Sequence, residues 1–302
     1  MAVLPSEETP ALAAAAPMRA VDFVGAPPKR RRSWVRSLDV YIPGVFLLAL
    51  LFVCFVWPYV YSIPSPVGGG ILTGSLPFGA PGHIFGTTVV GNDIMSRLIY
   101  GGRVSFEVMF AVQGIGLVVG GLLGVTAAML RGVAEAIVMR VLDVVIAFPA
   151  FVLVVVIVLG LGASELTIIW ALAVVGVPIF ARIARAGAVT VREQTFVLAA
   201  ELAGTKRWRI GLRHVMPNII TSLLTFAVIG AGVVIILAAT VSYFGFGIPP
   251  PGPSWGNMIA VGAQTMSTRP SLLLIPSIIL LVTVIALNTL GEGMRRRWGA
   301  VR

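Results

Sequence analysis

Apolar residues dominate this chain in six long stretches, roughly 42–63, 104–130, 141–162, 166–187, 218–241 and 270–290, and the segments between them hold most of the charge. Each stretch reaches the roughly 20 residues that a helix needs to cross the hydrocarbon core of a bilayer. The pattern therefore predicts an all-α polytopic membrane protein with six transmembrane helices. Prolines and glycines inside the stretches, such as Pro178, Pro276 and the run GIGLVVGGLLG at 114–124, are tolerated where neighbouring helices re-satisfy the backbone and approach closely. No internal repeat is evident.

The polar interruptions orient the bundle. Six crossings put both termini on one side. On that side the tail, the 131–140 loop, the 182–217 loop and the C-terminus hold 6, 2, 7 and 4 Lys or Arg residues, whereas the other side holds only Arg97, Arg103 and Arg269. The excess predicts N-in and C-in. Four parts follow: a cytoplasmic tail at 1–40, largely disordered and ending in a basic run; a first transmembrane helix at 41–63; an external loop at 64–103; and a core of five transmembrane helices at 104–302. That core carries a cytoplasmic loop at 188–217 and an external loop at 242–269.

The first external segment is rich in Gly and Pro until GNDIMSRLIYGGR. There Ile94, Leu98 and Ile99 share one face of a short helix while Asp93 and Arg97 point elsewhere, as in an interfacial helix. The second, SYFGFGIPPPGPSWGNM, joins aromatic residues to a proline run. Trp255 and Tyr243 suit headgroup-level anchors. Alternatively, Trp255 is fixed by packing on the 93–99 helix or on a partner.

Composition supports the membrane assignment and narrows the chemistry. The 302 residues are 58% hydrophobic and 11% charged, and the mean hydropathy is +0.99. The 22 Lys plus Arg against 12 Asp plus Glu fit the positive-inside rule better than a nucleic-acid surface. Acidic residues and prolines near the N-terminus argue against a cleaved signal, and Lys29 to Arg32 sit where they can touch anionic lipid. Cys54 is the single cysteine, so no disulfide framework arises. Neither lysine follows a glycine in a phosphate-cradling loop, which excludes a P-loop ATPase within this chain. His83 and His214 fall on opposite sides of the membrane, too far apart to share a metal; each reads as a solitary surface histidine. Glu107, Asp143 and Glu165 fall near span ends, leaving neutral groups such as Gln113, Thr126 and Asn288 at depth. An ion-coupled transporter needs ionisable groups there, so energy is expected from another polypeptide.

One cytoplasmic stretch breaks the chain's avoidance of charge: AAELAGTKRWRIGLRHVMPN at 199–218 gathers Glu201, Lys206, Arg207, Arg209 and Arg213. A break at Gly204 separates a short helix, with the small residues Ala199 and Ala200, from a second in which Trp208, Leu212, Val215 and Ile219 share a face. Pro217 is expected to turn the chain into the fifth span. An amphipathic linker on the anionic leaflet and a docking element for a cytoplasmic partner both satisfy this pattern.

The same residues resemble the EAA motif of bacterial ABC importer permeases, with Ala199, Ala200, Gly204 and Pro217 matching; Leu198 stands where the family carries Glu, and Glu201 follows the pair. FGTTVVGNDIMSRLIYGGRVSF resembles a second family pattern through Gly86, Thr87, Gly91, Asp93, Ser96, Arg97, Tyr100, Gly101 and Arg103. YFGFGIPPPGPSWGNMIAVG is similar to the external loop of the C-type subunit in the dipeptide, oligopeptide and nickel group. The resemblance spans about residues 40–298.

It implies the MetI-like permease fold and a non-catalytic subunit in the bacterial inner membrane. The chain would form half of a translocation pathway with a B-type permease, driven by two cytoplasmic ATPase subunits that bind ATP and Mg and fed by an extracytoplasmic binding protein. Membrane lipid surrounds it. Leu198, Ala199, Ala200, Glu201, Gly204, Lys206, Arg207, Trp208 and Pro217 then form the ATPase-coupling site. Asp93, Arg97, Tyr100, Trp255 and Asn257 form the external mouth and docking surface, and Gln113 and Asn288 are pathway candidates. The implied cargo is a di- or oligopeptide, with a nickel complex or glutathione as alternatives and an ion-coupled transporter as the rival mechanism.

Overall fold

The computed structural model describes residues 33–299. The tail up to residue 32, with its basic run, falls outside the described residues. Twelve α-helices appear among those described: α1 Ser33–Phe55, α2 Trp57–Val60, α3 Ile94–Ile115, α4 Gly121–Leu130, α5 Gly132–Ala147, α6 Ala150–Leu161, α7 Glu165–Arg192, α8 Thr195–Leu202, α9 Arg207–Ile210, α10 Met216–Tyr243, α11 Trp255–Gln264 and α12 Pro270–Gly299. Single π-helical turns at Gly116–Gly120 and Gly211–Val215 join α3 to α4 and α9 to α10.

Four helical runs are long and apolar enough to cross a bilayer: Ile94–Leu130, Glu165–Arg192, Arg207–Tyr243 and Pro270–Trp298. The pair α5 and α6 counts as a fifth if taken together, and Asp39–Phe55 is a shorter apolar helix. The expected straight span at 141–162 is corrected here, because α5 and α6 meet at a bend of 87°. Pro149 lacks an N–H and pushes its predecessor out of the helical region; Phe148 is extended, at φ −82° and ψ 140°.

Two further expectations are corrected. The short interfacial helix at 93–99 is instead the first two turns of the 37-residue run from Ile94 to Leu130. At 1.5 Å per residue that run is about 56 Å long, more than the roughly 30 Å hydrocarbon core of a bilayer, so it also builds one end layer of the bundle. The fifth span does not begin with a turn at Pro217, since the chain stays helical from Arg207 to Tyr243. Pro217 lies in the first turn of α10, just after the π-helical turn, where a missing N–H breaks least.

Contacts sort the helix ends into two groups. Arg192 at the end of α7 donates to Ala128 O of α4 at 2.5 Å, and Arg185 pairs with Glu135 of α5 at 2.6 Å. Gly211 packs against Val125 and Met129 of α4. Thr221 of α10 and Arg295 of α12 line one cavity, while Arg296 lies 3.9 Å from Asp39 of α1. All of these belong to one end of the bundle, which is rich in arginine. Towards the opposite end Val108 of α3, Val158 of α6, Ile168 of α7 and Val241 of α10 form one buried cluster. Thus α4 and α7 run parallel, and the bent pair between them makes one net passage.

Small residues allow the closest approach. A Cβ at Gly116 or Gly120 would strike Phe180 of α7, and one at Gly124 would strike the Ala181 carbonyl. The glycine run is therefore the surface on which α7 seats.

Candidate functional site

At the arginine-rich end, α8 and α9 form a helix–turn–helix laid across the ends of α4 and α7. Thr205 N donates to Ala200 O at 3.1 Å and Gly204 N to Glu201 O at 3.0 Å, with Gly204 at φ +75°. This is a Schellman cap, which needs a left-handed residue at the position Gly204 fills. Beyond it Lys206 is extended and α9 begins.

The unit has two faces. Val197, Ile210 and Val215 are fully buried in a cluster with Val125, Ala128, Met129, Ala184, Ala188 and Val191, which fixes the unit to the bundle. The other face is exposed: Phe196, Leu198 and Ala199 on α8, then Leu202, 90% accessible, and Trp208 and Leu212 beyond the turn. Lys206, Arg207 and Arg209 are exposed around it, with Arg209 5.6 Å from the Trp208 ring centroid. Ala200 is half-buried, and Pro217 is exposed at the start of α10. Glu201 is turned inward and pairs with Arg131 at 3.2 Å, a tie from α8 to the α4–α5 junction. Sequence reasoning missed that partner, because Arg131 lies 70 residues away.

At the opposite end, three arginines stitch a cap. Arg97 donates through Nη1 to Pro66 O at 3.1 Å and Pro251 O at 3.3 Å. Arg269 donates to Thr87 O at 3.3 Å and also to Ser75 O. Arg103 bonds Glu107 and the Tyr59 hydroxyl, each at 3.0 Å. Asp93 caps α3 by accepting from Ser96 N at 2.7 Å, and its other oxygen lies 2.8 Å from His83 Nδ1. His83 is therefore no solitary surface histidine. Asp93 and Arg97 are also buried rather than pointing to solvent, at 4% and 8% exposure.

Trp255 is 1% exposed. Its indole N–H donates to Leu98 O at 3.0 Å, and its ring meets Phe106 edge-on at 5.7 Å. It rests on Gly102, where a Cβ would lie 2.8 Å from the ring and 2.7 Å from Cys54 Sγ. A headgroup anchor and a directly exposed docking residue are both ruled out for Trp255 in this arrangement. Gly102 is thus the seat of that ring, and Gly101 beside it packs against the Ser254 backbone. Tyr100 and Asn257 are half-buried beside it.

The pathway candidates are not brought together. Gln113 is buried and donates to Ala227 O at 2.8 Å, so its amide is occupied by α10. Asn288 is exposed on α12 and packs near Gly232.

The structure is thus a multi-helix bundle of apolar spans, with an exposed helix–turn–helix at its arginine-rich end and a stitched cap at the other, an architecture of the membrane-transport class. Residues 120–298, more than half of the chain, match the family model of the binding-protein-dependent transport system inner membrane component, and the chain belongs to that family. It is 32% identical over 270 residues to the glutathione transport system permease protein GsiD of Pectobacterium atrosepticum, covering 88% of this chain and 89% of that protein. It is 36% identical over 214 residues to the dipeptide transport system permease protein DppC of Alkalihalophilus pseudofirmus, covering 70% of each. The probable D,D-dipeptide transport system permease protein DdpC of Escherichia coli K12 shares 30% over 291 residues, covering 96% and 95%. Among solved structures, a chain of the MetNI methionine ABC transporter in inward-facing conformations superposes with a TM-score of 0.54 at 17% identity, covering 68% of this chain and 97% of that one. The fold is MetI-like, and the protein is a multi-pass inner-membrane permease subunit of an ABC importer.

Proposed function

We infer that this chain is the C-type permease subunit of an importer for di- or oligopeptides. It forms half of the pathway with a B-type permease, and in this arrangement all six helical passages cross the membrane with both termini in the cytoplasm. The observation that carries the coupling role is the two-faced α8–Gly204–α9 unit, whose inner face is locked to α4 and α7 while its outer face is apolar and basic. Partner ATPase subunits, which bind ATP and Mg, grip that outer face; their closure moves α4 and α7 as rigid bodies. The dipeptide permeases among its relatives support peptide cargo. Glutathione is the second reading, favoured by the glutathione permease aligned over 88% of the chain. No residue here catalyses hydrolysis.

The cargo test is to purify the cognate binding protein from its host and identify the bound ligand by mass spectrometry. A dipeptide or longer peptide fits the proposal. Glutathione selects the second reading, and a nickel complex overturns both.

A further inference from the structure

Arg97 is 8% exposed and forms no ion pair among the described residues, although a buried charge is costly unless paired. The nearby acid is spoken for, because both oxygens of Asp93 are engaged by His83 and Ser96 N. Two backbone carbonyls accept from Nη1 alone. Arg97 also lines a cavity of about 250 Å³ between the 88–94 segment, the proline run and α11. Its walls are mostly apolar, including Ile94, Met258 and Leu272, and Asn92 and Asn257 add amides. Val90, Pro250 and Pro251 stand exposed at the rim, so the cavity opens outward.

Such a site lacks one component, a carboxylate. Arg is the side chain suited to hold one by two parallel bonds, and apolar walls strengthen that attraction. The volume falls below the roughly 300–1,000 Å³ of small-molecule sites, which suits one inserted side chain better than a whole peptide. We propose that the Arg97 cavity is a socket for one acidic side chain of the extracytoplasmic binding protein, filled when that protein docks. This rests on the importer assignment above, which places the cavity on the external face.

The test uses the complete importer in lipid nanodiscs, titrated with its cognate binding protein. Arg97→Gln weakens binding at least about tenfold, as truncation of a buried charge pair does. Because Arg97 also holds the cap, a second variant separates socket from clamp. Asn257→Asp supplies a carboxylate from within the cavity, so it too weakens binding at least about tenfold while the melting temperature stays at or above wild type. Wild-type affinity in Asn257→Asp overturns the proposal, even if Arg97→Gln fails to assemble. Loss of the second permease from Asn257→Asp also overturns it, by assigning the socket to the permease interface. So does a binding defect that appears in wild type when the cargo peptide is amidated at its C-terminus, since the carboxylate is then the cargo's. Failure of the wild-type complex to bind any binding protein would instead refute the importer assignment itself.

Discussion

Gly204→Val adds a β-branched side chain at φ +75°. Space is not the obstacle, because a Cβ at Gly204 meets nothing within 4 Å. The penalty is purely conformational, about 1–3 kcal/mol for a non-glycine residue held in the left-handed region. That amounts to a loss of roughly 5- to 150-fold in the population of the observed turn. Since Val197 and Ile210 still anchor the inner face, the chain stays inserted while the angle between α8 and α9 changes. In liposomes containing all partner subunits, binding-protein-stimulated ATP hydrolysis should fall at least about fivefold at unchanged abundance of the chain. Gly204→Asn, which tolerates left-handed backbone, should keep most of the activity. Wild-type stimulated hydrolysis in Gly204→Val, or an Asn variant no better than Val, would refute the reasoning.

Leu198 is 48% exposed, so Leu198→Glu should change stability by less than about 0.5 kcal/mol and leave the complex assembled, as read by size-exclusion chromatography. If assembly is lost, the partner cleft is apolar at that point. Trp255→Ala empties a buried seat and should cost about 3–5 kcal/mol, seen as a lower melting temperature in detergent; an unchanged value contradicts the packing described. Gly102→Leu should destabilise by about 1–3 kcal/mol through overpacking, with partial relief from Cys54→Ala in a double-mutant melt. Glu201→Gln removes a part-exposed ion pair with Arg131, so a stability loss above about 1 kcal/mol would show that the pair is more than a surface tie.

Much of this molecule is legible in its hydrophobic pattern, because lipid leaves the backbone few alternatives to helix. The break at Gly204 was legible for a local reason, since a glycine just after a short helical stretch is a helix-ending signal; the structure makes it a left-handed cap. What escaped the sequence depends on long-range contacts. Periodicity places Ile94, Leu98 and Ile99 on one face but does not tell a surface from a core, so Arg97 reads as solvated until Pro66 and Pro251 arrive to accept from it. Nothing local accounts for Gly102, and only Trp255, more than 150 residues on, explains why no side chain fits there. At Pro149 the signal was present but the long apolar run outweighed it. Pro217 shows the converse, since a helix start absorbs the missing donor.

The most direct test of the account is site-specific photocrosslinking from position 202, whose leucine is 90% exposed on the outer face of α8, with position 72 in the segment between α2 and α3, 99% exposed, as the control. A photoreactive amino acid is placed at each site in membranes holding the whole importer, and the adducts are identified by mass spectrometry. The account predicts an ATPase-subunit adduct from position 202 and none from position 72. An ATPase adduct from position 72, or only lipid adducts from position 202, would contradict it.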